Sequence, residues 1–257
     1  MKKKCTHSIV MLLLVTAIAA SVNASPFRIE GGIGVWNHDP DGIINYNGDD
    51  IELNKDLNLS DRNDLSVWLR LEHPVPMLPD VKIQYTPIKV EDDASPGRSF
   101  TFGNFDFDEA LRSELEMDII DLQLYNHLPF LNMASLKSLD ITYGMNFRFL
   151  NGQAFIQEIQ SINARSRSFS TPLAMFCAGI RLAPVSSFSL HGEIKGTSYS
   201  GNRWCDINAE IQISPFTELI FLGIGYRYQD FKIEDVEDVT TDQTMQGWFA
   251  ELGFRFE

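Results

Sequence analysis

The chain has 257 residues with 35 acidic and 21 basic side chains, a formal charge of −14, and a length that fits one large domain or two small ones. Such a charge excludes the basic stripe a nucleic-acid binder needs and opposes attraction to anionic lipid headgroups. At 44% apolar residues the chain has material for a core and is not disordered as a whole.

Met1-Lys2-Lys3-Lys4 is a basic start, Ile9 to Ala20 is apolar, and Val22-Asn23-Ala24 puts small residues where a signal peptidase reads. This pattern predicts a secretory signal peptide over 1–24, cleaved after Ala24. The mature domain, 25–257, then carries 18 basic and 35 acidic side chains, a charge of −17. Cys5 precedes the apolar run, so it is not a lipoprotein acylation site. Beyond the signal, the longest apolar stretch, Leu219 to Tyr226, is far short of the ~20 residues of a spanning helix. A secreted chain without such helices is either a soluble periplasmic protein or a barrel that crosses a membrane with strands.

Alternation separates these readings. Ten segments of period 2 follow in order: 26–36, 65–73, 80–90, 114–126, 139–149, 173–182, 187–197, 204–213, 217–229 and 245–256,. In the second, Leu65, Val67, Leu69 and Leu71 oppose Ser66, Trp68, Arg70 and Glu72. In the fifth, Ile141, Tyr143, Met145, Phe147 and Phe149 share a face. The eighth alternates Cys205, Ile207, Ala209, Ile211 and Ile213 with Asp206, Asn208, Glu210 and Gln212. The tenth sets Trp248, Ala250, Leu252, Phe254 and Phe256 opposite Phe249, Glu251 and Arg255. The period flips at Ile119-Ile120 and near Pro87, which predicts a β-bulge at each.

The polar faces hold charges of both signs: Arg28, Arg70, Lys82, Arg148, Arg181, Lys195, Arg227 and Arg255, with Glu30, Glu72, Glu116, Asp118, Asp121, Glu193, Asp206, Glu210 and Glu251. His191 lies on the same inner face. The apolar faces end in aromatics, among them Tyr226, Tyr228, Phe147, Phe149, Phe254 and Phe256. Aromatic ends on an aliphatic band fit the two girdles of a membrane barrel.

Connections alternate in length. Those after segments 2, 4, 6 and 8 contain proline and three of them are brief; 37–64, 91–113, 150–172 and 230–244 are long and polar, with a short one at 198–203. Short turns on one side and long loops on the other are the outer-membrane pattern, with an even strand number and both termini periplasmic.

On these features the sequence resembles the Gram-negative outer-membrane β-barrel proteins. It is similar to a family of functionally uncharacterised outer-membrane proteins of about this size from marine gammaproteobacteria. The resemblance implies an all-β, antiparallel up-and-down transmembrane barrel of about 10 strands in the bacterial outer membrane. It implies as partners membrane lipid, lipopolysaccharide and the barrel-assembly machinery, which reads an aromatic-ended last strand. Trp248 to Phe256 fits that strand, with Glu257 one residue beyond. The resemblance implies a fold and a location, not an activity.

Cys177 is expected to face inward and Cys205 outward with a strand between them, which predicts free thiols, since a disulfide needs Cα atoms within ~7 Å. Ten strands sit near the size at which side chains fill the interior, and the inner charges are mixed, so the lumen is expected to be charge-paired and narrow or plugged. His191 and Glu193, with Ser198 and Ser200 beyond, are the ingredients of a lipid A hydrolase, without the compact His–Ser motif of known deacylase barrels. Asp92-Asp93 and His38-Asp39 supply the residue types of the omptin barrel proteases but no motif. The run Asn37 to Asp50 is rich in oxygen ligands without EF-hand spacing. Phe155, Ile156, Ile159 and Ile162 have helical spacing. There is no CxxC, P-loop, GxGxxG or HExxH, so no catalytic residue, metal centre or cofactor is predicted.

These features point to a structural or interaction barrel, with a small-solute or hydrophobic-molecule channel as the alternative and a rim hydrolase behind it. The loops 37–64, 91–113 and 230–244 carry −6, −4 and −5, so the acidity belongs to the predicted outward face. There it points to a divalent cation bridging the loops and lipopolysaccharide phosphates.

Overall fold

The computed structural model describes residues 27–75, 77–128, 138–160 and 162–256. The predicted signal peptide, the middle of the proline-containing turn after segment 4 and Glu257 lie outside the described residues.

The elements are β1 (Arg28–Tyr46), β2 (Ile51–Glu52), β3 (Arg62–Glu72), β4 (Asp80–Ala94), β5 (Phe100–Thr101), β6 (Asp106–Phe107), β7 (Leu111–His127), β8 (Leu139–Glu158), β9 (Ala164–Val185), β10 (Phe188–Tyr199), β11 (Asn202–Ile213), β12 (Ile220–Val236) and β13 (Val239–Phe256). All but β2, β5 and β6 are barrel strands, and each pairs antiparallel with the barrel strand before it in the chain. β13 pairs back onto β1 from Ile29↔Phe256 to Tyr46↔Val239. That seam closes a ten-strand barrel, so the turn-end half of the sheet has no free edge,. Both ends of the described chain lie at the end with the connections β3–β4, β7–β8, β9–β10 and β11–β12, here the turn end; the other is the loop end.

The expected bulges are absent. β4 pairs with β7 without a shift from Asp80↔Tyr125 to Ala94↔Leu111, and β7 with β8 from Leu111↔Glu158 to His127↔Thr142. What changes at Ile119-Ile120 is chemistry, not register. Toward the turn end, Asp121, Gln123 and Tyr125 are buried in the lumen while Ile120 is exposed. Toward the loop end, Leu111, Leu115, Met117 and Ile119 are buried and the polar residues Arg112, Glu114, Glu116 and Asp118 take the outer face. β8 inverts at the same height: Arg148 is inside with Phe149 outside, then Leu150, Ala154 and Ile156 inside with Asn151 and Gln153 outside. β12 goes from Arg227 inside to Phe231 and Ile233 inside.

Two of the long loops are strand. Segment 150–172 is the end of β8 and the start of β9, so the expected helix over 153–162 is not formed: Ile156 is buried and Phe155 is on the opposite face, at period 2. Segment 230–244 is the β12–β13 hairpin, turned by Glu237 (φ 53°) and Asp238 (φ 64°). Positive φ at both central residues is the mirror-type hairpin turn whose twist matches the strands. Ser200 (φ 51°) and Gly201 (φ 85°) do the same between β10 and β11.

The two remaining loops fold into the barrel mouth. Ile51, Leu53, Leu57 and Leu59 from the first, and Phe100, Phe102 and Phe107 from the second, join Leu111, Leu115, Met117, Ile156, Phe169 and Ile233 in one buried core. Each such side chain gains about 1.5–3 kcal/mol on leaving water. The loop-end half of the barrel is built like a soluble protein, and the turn-end half is built for lipid.

Candidate functional site

The outer face of the turn-end half is apolar and exposed. β3 contributes the stripe Leu65, Val67 and Leu69, and other strands around the barrel carry Val35, Ile83, Ile180, Ile194, Ile211, Ile224 and Leu252 on the same face. Trp248, Tyr226 and Tyr85 edge this band on the loop side, with Tyr226 and Trp248 in edge contact at 5.4 Å. Tyr85 Oη donates to Asp118 at 2.6 Å, where the outer face turns polar. A closed barrel with such a band is a lipid-facing surface with its polar girdle.

Inside the band the charges form two tiers. Near the turn end, Glu30 accepts from Arg28 at 2.6 Å, from Arg70 at 3.1 Å and from Arg255. Glu72 lies 3.5 Å from Arg28 and accepts from Tyr125 Oη at 3.1 Å. The upper tier is a chain across the lumen. Arg148 donates to Asp121 at 2.6 and 2.7 Å and to Asp206 at 2.7 Å. Arg227 donates to the same Asp206 at 2.7 and 3.1 Å. Lys195 stands 3.5 Å from Asp121 and 3.2 Å from Glu193, which Lys82 approaches at 3.4 Å. Buried charges of this kind persist only when paired.

Two tryptophans separate this tier from the apolar mouth. The Arg148 guanidinium lies 4.8 Å from the Trp204 ring and that of Arg227 4.9 Å from Trp36. Trp204 stacks on Phe231 at 4.2 Å, so two cation–π contacts and one ring stack join the two halves,. Below the tier a cavity of about 100 Å³ runs from Arg227 and Trp36 toward Arg28, Glu72 and Asp140. Side-chain exposure falls from 15–21% at Arg28, Glu72 and Arg70, through 12% at Lys82 and Glu193, to 0–2% at Arg148, Asp121, Asp206 and Lys195. The cavity therefore opens at the turn end and is blind at the other.

Of the side chains expected in the lumen, Glu116 and Asp118 are placed on the outer face. The alternation does not flip at Ile119-Ile120, so the residues that share a face with Ile120 point outward. Glu116 accepts from Lys89 at 2.8 Å there. Arg28, Glu30, Arg70, Glu72, Lys82, Asp121, Arg148, Lys195, Asp206 and Arg227 enter the two tiers and the cavity wall, Arg255 the lower tier, and Arg181, His191, Glu193, Glu210 and Glu251 line the cavity. Cys177 is buried on the inner face, Cys205 is on the outer one, and both are free.

The catalytic candidates do not converge. His191 Nε2 meets Ser189 Oγ at 2.9 Å, whereas Ser198 and Ser200 lie at the loop-end tip of β10. His38 is buried against Asp64 at 2.7 Å, Asp92 is taken by Arg62 at 3.1 Å, and Asp93 by Arg112 at 2.9 Å. The acids of the first loop serve the mouth: Asp49 accepts from Thr101 N at 2.8 Å, Asp50 from Asn45 at 3.0 Å, and Asp56 from Arg98 at 2.8 Å. Burial alone would push the Asp56 carboxyl up; the Arg98 hydrogen bond and charge and the Glu52 N–H hold it below its ordinary value,. Sequence reasoning missed the aromatic ceiling. Its signal was a tryptophan on the polar face of an alternating segment, as with Trp36 and Trp204.

No family model and no curated protein matches the chain by sequence. Among solved structures, the outer membrane protease OmpT from Escherichia coli superposes with a TM-score of 0.55 at 8% identity, covering 91% of this chain and 99% of that one. The translocator domain of the autotransporter NalP from Neisseria meningitidis gives 0.44 at 11% identity over 99% and 98%, and Ail of Yersinia pestis 0.41 at 10% over 89% and 99%. At such identities the OmpT likeness speaks to fold alone, and the two looser ones carry no further argument. The chain is a closed, ten-strand antiparallel β-barrel of the Gram-negative outer-membrane type.

Proposed function

We propose that this protein is a non-conducting, non-enzymatic outer-membrane barrel whose acidic loop-end head is its working surface. The loop end would face outward and the turn end, with both termini, the periplasm. The observation that carries this reading is the mouth: two loops and the strand ends around them pack one hydrophobic core across the lumen, above a charge tier in which Arg148, Asp121, Asp206 and Lys195 are 0–2% exposed. No water-filled path passes such a core, since the loss of several buried apolar contacts would have to precede every opening. The acids above it are held in ion pairs or face solvent, and lipopolysaccharide is the partner that surrounds them, with divalent cations as the bridge between like charges.

The test is single-channel recording of the refolded barrel in planar bilayers. Baseline current from the full chain is the expected result, and steady conductance would overturn the reading. Replacing residues 50–59 by a short Gly-Ser linker removes Ile51, Leu53, Leu57 and Leu59 from the mouth, and is expected to produce flickering current.

A further inference from the structure

The cavity beneath the charge tier holds a mismatch. Of the acids that line it, Glu72, Asp140 and Glu193 each have a basic side chain within 4 Å: Arg28 at 3.5 Å, His127 at 2.8 Å, and Lys195 at 3.2 Å. Glu210 and Glu251 have none among the described residues. They are in hydrogen-bonding reach of each other and meet over Gly223, where an added Cβ would lie 1.9 Å from Glu210 Oε1 and 2.8 Å from Glu251 Cγ. Beside its contact with Glu251, Glu210 accepts from a neutral donor, the Gln212 amide at 3.2 Å. Glu251 accepts from Trp68 Nε1 at 2.9 Å through one oxygen, and among the described residues its buried Oε1 has no donor apart from a proton shared with the Glu210 carboxyl. Opposite in sign, Arg181 lines the same cavity without a carboxylate partner among the described residues, and its Nε is also unsatisfied. Gln123, only 3% exposed, adds an unpartnered Oε1 to the cavity wall.

Register places the opposite charges close together. Arg181 pairs with His191, and His191 with Glu210, so all three stand in one row across β9, β10 and β11. Strands about 4.8 Å apart put the outer two Cα atoms about 10 Å from each other. His191 stands between them in the row, and all three line the cavity. The opposite charges that reach these groups are already engaged: Lys82, which faces Glu210 and Glu251, is 3.4 Å from Glu193, and Glu30, which faces Arg181, is held by Arg28, Arg70 and Arg255. In a membrane-embedded lumen such under-compensated groups are costly. One molecule carrying both an ammonium and a carboxylate would satisfy both.

We propose that the cavity binds a small zwitterion of the α-amino-acid type from the turn end, with its ammonium on Glu210 and Glu251 and its carboxylate on Arg181. A site of about 100 Å³ is of the size of a small amino acid. The blind upper end makes this a binding pocket, not a passage, so the proposal is independent of the working surface at the loop end.

The experiment is isothermal titration of the refolded full chain with L-alanine, N-acetyl-L-alanine and L-alaninamide. Saturable binding of alanine is expected, with both blocked analogues at least tenfold weaker. Absence of saturable alanine binding overturns the proposal. Equal binding of alaninamide overturns it in favour of a cation site, and equal binding of N-acetyl-alanine in favour of an anion site. Arg181→Gln, and Glu210→Gln with Glu251→Gln, should each weaken alanine at least tenfold while heat-modifiable migration reports an intact barrel; unchanged affinity in either would overturn the assignment. Conductance reads the sealed mouth separately, so the two readings can fail independently.

Discussion

Along β7, Ile120 to His127 and Leu111 to Ile119 follow one unbroken alternation, yet the two halves place opposite chemistry on each face. The turn-end half puts Asp121 and Gln123 inside and Ile120 and Leu122 outside, because its outer solvent is lipid. The loop-end half puts Leu115 and Met117 inside and Glu114 and Glu116 outside, because its outer solvent is water. The backbone is strand in both, since ladder pairing satisfies N–H and C=O groups whatever surrounds them. In this barrel the two charge tiers lie where the exterior is apolar, and the apolar core of the mouth lies where it is polar.

The contrast breaks most readily at the charge tier. Arg148→Ala removes the bridge between Asp121 and Asp206 and leaves two buried carboxylates short of a partner, at an expected cost of about 3–5 kcal/mol. Urea unfolding in lipid or detergent measures it, and a loss under about 1 kcal/mol would deny the tier its role. In the other half, Leu115→Ala opens a cavity in the core of the mouth, where Leu115 is 2% exposed, at about 2–5 kcal/mol. Its effect should be accompanied by faster proteolysis of the first two loops.

A pair of lysine substitutions sharpens the boundary itself. Ile120→Lys puts a charge in the lipid band and should cost about 2–4 kcal/mol if it lies near the midplane, and less toward the interface. Asp118→Lys, one outward position nearer the loop end, should cost about 1 kcal/mol or less, the loss of the exposed Tyr85 hydrogen bond,. Equal effects would mean that the boundary lies elsewhere. The smallest effect is expected at Asp56, whose carboxyl is held below its ordinary value. Its contribution is present above the unfolded carboxyl pKa of about 3.9 and is lost as pH falls through the lowered folded value. Asp56→Asn should remove this acid sensitivity of the first loop, read by amide exchange, for below about 1 kcal/mol, because Arg98 is half exposed.

Much of the fold is legible in the sequence. Each of the ten alternating segments is a barrel strand, because side-chain period 2 is imposed by the pleat and does not depend on partners. Cys177 and Cys205 fall on opposite faces for the same reason. The departures share one cause. Reading apolar residues as the outer face works in the band but fails above it, so Ile119-Ile120 reads as a bulge and Glu116 and Asp118 as lumen residues. The polar strand ends of β8, β9, β12 and β13 read as loops because their outer faces carry Ser, Asn, Gln and Asp.

The sequence by itself determined the strands, their order and the lipid-facing band, since local alternation and turn chemistry encode these. Tertiary structure alone decided which solvent each outer face meets, that two loops turn inward to seal the mouth, and that Glu210, Glu251 and Arg181 line one cavity without partners of opposite charge among the described residues. Those facts depend on closure: only when β13 pairs with β1 do residues far apart in the chain, such as Glu30 and Arg255, acquire a common interior.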